Sequence, residues 1–305
     1  MKELRFAAFV MTYERPEILL KTIYKLREQT FPPEFIVVVD NSISRKIEIL
    51  LNKNHFSNLE YIRVGYNSGP AGASKIGLKK LTELGYDWIY WGDDDNPPRD
   101  NTVFEHLFEG IKELQNKGVK IGIFGGKGGQ FNKFSGRIQS LSNKELKQSK
   151  YLAVDSVPGG HTMLVNSEVI KAGALPDENL FFGFEEFDFC LQVINRGFKN
   201  YVDTQSWLKV RRNANLVQDN YRWTSKSFGN AEILKREFYS TRNLLSIFLK
   251  NRFLFPLLIL MLKSLAKMFL GYRYGTDYGN KMFRIQFLAL RAFFLKDFRI
   301  PGKPK

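Results

Sequence analysis

The sequence predicts an α/β protein, a doubly wound mixed sheet followed by a helical, basic, amphipathic C-terminal region. Three observations carry this expectation. Strand-like apolar runs alternate with helix-length amphipathic segments through the first half of the chain. Two of the strand runs end in acids, at Asp40 and at Asp93–Asp95, and such sheets bind ligands in the crevice at the carboxyl ends of their strands. After about Asn213 the pattern changes to long helices.

In chain order, "RFAAFVMT" reads as a buried strand. "PEILLKTIYKLREQ" reads as a helix: Pro16 stands at its start, and Ile18, Leu19, Thr22, Ile23 and Leu26 share one face. "FIVVVD" is a β-branched second strand and "LEYIRV" a third. "AGASKIGLKKLTELG" is a helix closed by glycine. "YDWIYWG" is a fourth strand, "NTVFEHLFEGIKELQNKG" a helix and "KIGIFGG" a fifth strand. Residues 126–150, rich in glycine, lysine and serine, read as a long loop or irregular hairpin. "YLAVDSV", "TMLVN", "KNYVD" and "SWLKV" read as short strands, and "FEEFDFCLQVINRG" as a short amphipathic helix. The expected division is a catalytic domain over 1–212 and a helical region over 213–305.

The chain has 305 residues, 44% hydrophobic, enough for one large domain with an appendage. One cysteine, Cys190, excludes an internal disulfide. The N-terminus lacks a signal-peptide layout, and no apolar run reaches the roughly 20 residues that span a bilayer. These features predict a cytoplasmic protein. Its net charge of +15 lies wholly in residues 209–305, which carry 20 basic and 5 acidic side chains. There "FLFPLLILML" is apolar but short. "NKMFRIQFLALRAFFLKDFRI" places Phe283, Phe287, Leu290 and Phe294 on one face, with Lys281, Arg284, Arg291 and Lys296 elsewhere. Basic helices of this texture lie in bilayer interfaces, which predicts peripheral attachment to the inner face of the plasma membrane. The competing reading is a helical subdomain or a homo-oligomer contact. Aromatics interleaved with Leu and Ile runs, rather than with polar positions, argue against nucleic acid.

Three constellations bear on chemistry. "WIYWGDDDNPP" sets three carboxylates at the end of an apolar strand. Their repulsion is offset if Mg²⁺ or Mn²⁺ sits among them with substrate phosphate oxygens; a solvated acidic loop is the plain alternative. "FFGFEEFDFCLQ" brings Glu185, Glu186 and Asp188 to a helix start. There the macrodipole favours acids, but a general base would also be a carboxylate. "NSGPAGASKIGL" places glycines before a helix, where a backbone can approach phosphate.

Taken together and in order, these motifs resemble the family 2 glycosyltransferases, inverting enzymes of the GT-A nucleotide-diphospho-sugar transferase fold. Within that family the chain is most similar to the bacterial rhamnosyl- and galactofuranosyltransferase group, over about Phe6 to Lys250. The resemblance implies a D-x-D motif with Asp93 and Asp95 as metal ligands to Mn²⁺ or Mg²⁺, and Asp94 assisting. It implies a donor site of Thr12, Tyr13, Arg15, Asp40, Asn67, Gly69, Asp93 and Asp94, and Glu186 as the catalytic base. "FYSTRNLL" matches a downstream Tyr/Arg-Asn helix of that group. Glu185, Asp188, His161 and Lys209 are further candidates around the acceptor or the diphosphate. The implied partners are a UDP- or dTDP-linked sugar donor and a glycan or lipid-linked glycan acceptor, in cell-surface polysaccharide synthesis.

Two departures matter. Glu186 stands where the family usually has aspartate. Lys209 stands near the position where many relatives place a metal-binding histidine; protonated, it cannot ligate but can offset diphosphate charge. The competing functions are a sugar nucleotidyltransferase and a non-enzymatic anionic-polymer-binding protein. The first is disfavoured because "MTYERPE", not a basic glycine-rich loop, follows the first strand.

Overall fold

The computed structural model describes residues 4–160, 162–224, 229 and 234–299. Eight strands form one sheet in the order β3-β2-β1-β4-β9-β5-β10-β8. Its first half is β1 (Phe6–Thr12), β2 (Phe35–Asp40), β3 (Leu59–Arg63) and β4 (Trp88–Asp93), mutually parallel. β9 (Met163–Asn166) runs antiparallel between β4 and β5 (Ile121–Gly125). β10 (Lys199–Asp203) is parallel to β5, and β8 (Tyr151–Val154) closes the edge antiparallel to it. β6 (Gly129–Phe131) and β7 (Ile138–Ser140) form a separate hairpin.

Period-two patterning divides the core between the two faces of this sheet. Phe6, Ala8 and Val10 of β1 and Trp88 and Tyr90 of β4 pack on one side. Helices α1 (Pro16–Arg27), α2 (Lys46–Asn54) and α4 (Val103–Asn116) cover them. Ala7, Phe9, Met11, Ile89 and Trp91 pack on the other, under α3 (Gly69–Glu83), α6 (Ser167–Lys171) and α7 (Glu185–Asn195); α5 (Asn143–Leu146) is one capped turn. Both faces of β1 are therefore dry, which is why its seven residues include no charge.

The chain then departs from the expected strand at "SWLKV". Residues Thr204–Asn213 form a helix, α8. Asp203 caps it, accepting the Gln205 and Ser206 N–H groups at 2.9 and 3.3 Å. This cap stops the strand and outweighs the β-propensity of Trp207 and Val210.

Three helices follow: α9 (Leu234–Lys250), α10 (Leu254–Leu270) and α11 (Thr276–Phe294). A third apolar cluster joins them to the rest, with Phe131 of β6, Leu180, and Phe187 and Leu191 of α7 packing on Ile247 and Phe248 of α9. α10 extends well past the ten apolar residues read from the sequence, because Lys263 and Lys267 interrupt the hydropathy but not the helix. The helical stretch Leu254–Tyr274 has 21 residues, and an 18-residue window within it has a mean hydropathy of 1.8 and is only 22% buried. By length and composition it could cross a membrane, contrary to the expectation that no such stretch exists.

Candidate active site

The parallel register builds one wall of the site. Thr12 pairs with Asp40, and Met11 with Asp93, so β1, β2 and β4 end side by side. At that end the acidic triplet splits by orientation. Asp94 turns into the body, accepting the Thr12 hydroxyl at 2.7 Å and Arg15 Nε at 3.2 Å on one oxygen and pairing with the guanidinium through the other. The Thr22 hydroxyl donates to the Asp94 carbonyl at 2.5 Å. Burial raises the Asp94 carboxyl pKa despite the Thr12 and Arg15 contacts that oppose it. Asp94 is thus a tether between β1, α1 and the loop after β4, where the sequence reading had it assist a metal. Arg15 bridges from this tether to Asp95, whose Oδ2 it holds at 2.6 Å. Tyr13, next to Thr12, is exposed.

Asp40 is buried, accepting the Ser42 N–H at 2.8 Å and the Tyr61 hydroxyl at 2.7 Å. Next to it, Asn41 latches the glycine-rich loop. Its Oδ1 accepts the Ser68 hydroxyl at 2.7 Å, and its Nδ2 donates to the Gly69 carbonyl at 3.2 Å. Asn67 Oδ1 accepts the Gly69 N–H at 3.0 Å. Gly69 has φ +69°, and a Cβ there would collide with the Phe181 carbonyl. Only glycine lets the start of α3 meet the segment leading into α7.

That segment supplies the opposite wall. Phe184, at φ +67°, starts α7 so that Glu185 and Glu186 open its first turn. Glu185 is buried, and its Oε2 has no hydrogen-bond partner among the described residues. Burial, and then the charge of Glu186, holds its carboxyl well above the ordinary range. Glu186 is half-buried and accepts the Gly159 N–H; burial raises it too, with Lys127 pulling the other way. Asp93 is pushed up to about 7, by burial first and by Glu186 next, with Asp95 and Asp94 adding. Two distant segments therefore bring their carboxylates to one place. Gly160, at φ +71°, borders Asp93 so closely that a Cβ would strike its carboxylate. Lys127, lowered to about 8 by burial and the nearby Arg99, sits within reach of the Glu186 charge. Sequence reading missed it; its signal was a lysine flanked by glycines just after β5.

Other expected members fall elsewhere. Asp188 is buried and paired with Lys250 at 3.0 Å and with Gln192 Nε2 at 2.7 Å, which anchors α7 to α9. Lys209 is exposed on α8, which packs on α5 and β8. His161 lies outside the described residues.

Helix α9 reaches the site indirectly. Arg242, fully buried, donates to the Asn179 and Leu180 carbonyls at 3.3 and 3.1 Å. Asn243 Nδ2 donates to the carbonyls of Leu180, Phe182 and Gly183 at 2.8, 3.0 and 2.8 Å. These two side chains fix the backbone that immediately precedes Glu185 and Glu186.

No group of three or more His, Cys, Asp or Glu side chains among the described residues is arranged to hold a metal ion. Mg²⁺ and Mn²⁺ can instead be bound by one or two carboxylates, with substrate phosphate oxygens completing the shell. Asp93 and Asp95 fit that mode: after burial, the neighbouring acids lift Asp93, and a cation would relieve that repulsion.

A family model described as Glycosyl transferase family 2 matches residues 8–173, more than half of the chain. The chain is 32% identical over 100 residues to the galactofuranosyltransferase GlfT1 of Mycolicibacterium smegmatis, and 31% identical over 103 residues to that of Mycobacterium tuberculosis. Each match covers 33% of this chain and 33% of the relative, so it spans about a third of the relatives' length. Similar solved structures include S. aureus TarS 1-349 in complex with UDP, at TM-score 0.53 and 15% identity over 97% of this chain and 88% of that one. They also include the mannosyltransferase PcManGT of Pyrobaculum calidifontis in complex with GDP-Man and Mn²⁺, at TM-score 0.55 and 11% identity over 97% and 89%. At these identities the likeness concerns the fold, which is the GT-A fold. With that fold, and with the family's model matched from β1 to the end of α6, the chain belongs to glycosyl transferase family 2.

Proposed function

We propose that this protein is an inverting glycosyltransferase that moves a sugar from a nucleotide-diphospho-sugar to a hydroxyl of a glycan or lipid-linked glycan, in cell-surface polysaccharide synthesis. The observation that carries the reading is the convergence of Asp93 and Glu186 on the Gly159–Gly160 backbone, close enough for the charge of Glu186 to raise Asp93. The nucleoside lies over the ends of β1 and β2, near Tyr13 and the loop of Asn67 and Gly69. Asp40 and Arg15 shape that floor through the contacts they already make. Asp93 and Asp95 would hold Mn²⁺ or Mg²⁺, which when bound offsets the charge on the departing diphosphate.

Glu186 takes the proton of the acceptor hydroxyl. The oxygen then attacks the anomeric carbon from the face opposite the diphosphate. The new C–O bond forms as the bond from that carbon to the diphosphate oxygen breaks, and the electron pair leaves with the nucleoside diphosphate. The raised pKa of Glu186 makes it a stronger base than a solvated carboxylate. Neighbours in this fold are solved with UDP and with GDP-Man, and the curated relatives are galactofuranosyltransferases. A UDP-linked donor follows from these likenesses and a dTDP-linked one only from the resemblance of the motifs; both are proposed, with a galactofuranosyl donor the first to test.

The test is Glu186→Gln. Transfer should fall by about 10²–10⁴-fold, with nucleotide affinity within about twofold of wild type, since the amide keeps the shape but cannot accept the proton. Near-normal turnover would remove Glu186 from the base role.

A further inference from the structure

α10 presents an apolar stripe to solvent rather than to the core. Phe255, Leu258, Leu262, Leu265 and Phe269 recur at spacings of three and four, and all are exposed. Phe255 is 65% and Phe269 68% exposed. The opposite side of the helix buries Pro256, Ser264 and Met268. The stripe continues on both flanks. The ring of Phe269 meets Phe283 of α11 at 6.2 Å, and Phe287 and Phe294 lie exposed further along that helix. At the other end Phe255 meets Phe134 at 5.7 Å. Phe134 is 73% exposed at the tip of the β6–β7 hairpin, a tip shaped by Asn132, whose side chain accepts the Phe134 and Ser135 N–H groups.

Half-exposed side chains of this size leave roughly 100 Å² each. The combined face exceeds the few hundred Å² of contiguous apolar surface that a monomer usually leaves open. Lys133, Arg252, Lys263, Arg284, Arg291 and Lys296, within three positions of its residues in the chain, are all exposed.

We propose that this face, built from the hairpin tip with α10 and α11, docks on an anionic lipid surface. Charge selects this occupant. Residues 209–305 carry the whole +15 of the chain, so two copies meeting through this face would oppose two basic rims, whereas anionic headgroups complement one. Aromatic and leucine side chains then enter the acyl boundary while the basic side chains stay at headgroup level. α10 lies along the surface rather than across it, because its other side is held by protein. Lys267 pairs with Glu237 of α9 at 2.7 Å, and Ser264 and Met268 are buried. A crossing helix would have to break those contacts.

The test is flotation of the full chain with vesicles of phosphatidylcholine alone and of phosphatidylcholine with phosphatidylglycerol. The expected result is binding to the anionic vesicles only, reversed by high salt. Phe255→Ser with Phe287→Ser should weaken it by at least about tenfold, with the thermal unfolding curve unchanged. No donor is needed, so this result stands or falls separately from sugar transfer. The proposal is overturned by failure to float, by equal binding to neutral vesicles, or by equal binding of the double variant. Retention through high salt and alkaline carbonate would also overturn it, as would a dimer that the double variant abolishes.

Discussion

At the residue scale, three adjacent aspartates have three different environments. Asp94 is tied to Thr12 and Arg15, Asp95 meets the same arginine at the surface, and Asp93 faces Glu186. The sequence made the cluster and its place at a strand end legible, because a charged triplet after a dry strand has few structural uses. It could not say which aspartate turns inward, since that depends on Arg15, 79 positions away from Asp94. That Lys127 and the Gly159–Gly160 backbone meet Glu186 could not be read for the same reason: only the folded sheet brings them there. Cys190 makes a separate prediction. It is buried on α7, and burial pushes its thiol up to about 12. In the native protein it should resist alkylation at pH 8 and react fully once unfolded, as counted by mass spectrometry. The folded thiol pKa lies above the unfolded value of about 8.5. Its contribution to stability is therefore complete below that pH and is lost as pH rises towards 12.

At the element scale, the strands of the first half were readable because buried parallel strands are continuous apolar runs. α8 and the full length of α10 were misread for local reasons: the Asp203 cap overrides a β-prone composition, and single lysines do not stop a helix. The element that matters most for the site is α9. Asn243 satisfies three carbonyls in the approach to Glu186. Asn243→Ala should cost about 1–3 kcal/mol of stability, because those carbonyls lose a buried donor. The transfer rate should fall because the displaced segment leads into the proposed base, and donor affinity should fall with it, because Phe181 of the same segment packs against Gly69 of the nucleotide loop. Denaturant unfolding together with steady-state kinetics checks both parts; a variant with wild-type stability and rate would show that the contact positions nothing.

At the scale of the whole molecule, the helical region after residue 213 is continuous with the catalytic half through Phe131, Phe187 and Phe248 and through the Asp188–Lys250 pair. Removing residues 251–305 would strip α10 and α11 from α9 and so disturb the backbone before Glu186, which makes point variants the better probes. The division at 212/213 is best treated as a proposal about function: a donor crevice on one side, a lipid-facing surface on the other. The composition already indicated that the charge belonged to the second part. That its apolar stripe faces solvent needed the packing of α9 against both α10 and α11 to be seen. The central claim is that Asp93 and Asp95 form a metal–diphosphate platform opposite Glu186. The most direct measurement is calorimetric titration of UDP, dTDP and GDP into wild type and Asp93→Asn, with and without Mn²⁺. The account predicts that wild type binds one of the nucleotides at least about tenfold more tightly with Mn²⁺ and that Asp93→Asn loses this gain. Equal binding with and without the metal, unchanged by the substitution, would contradict it.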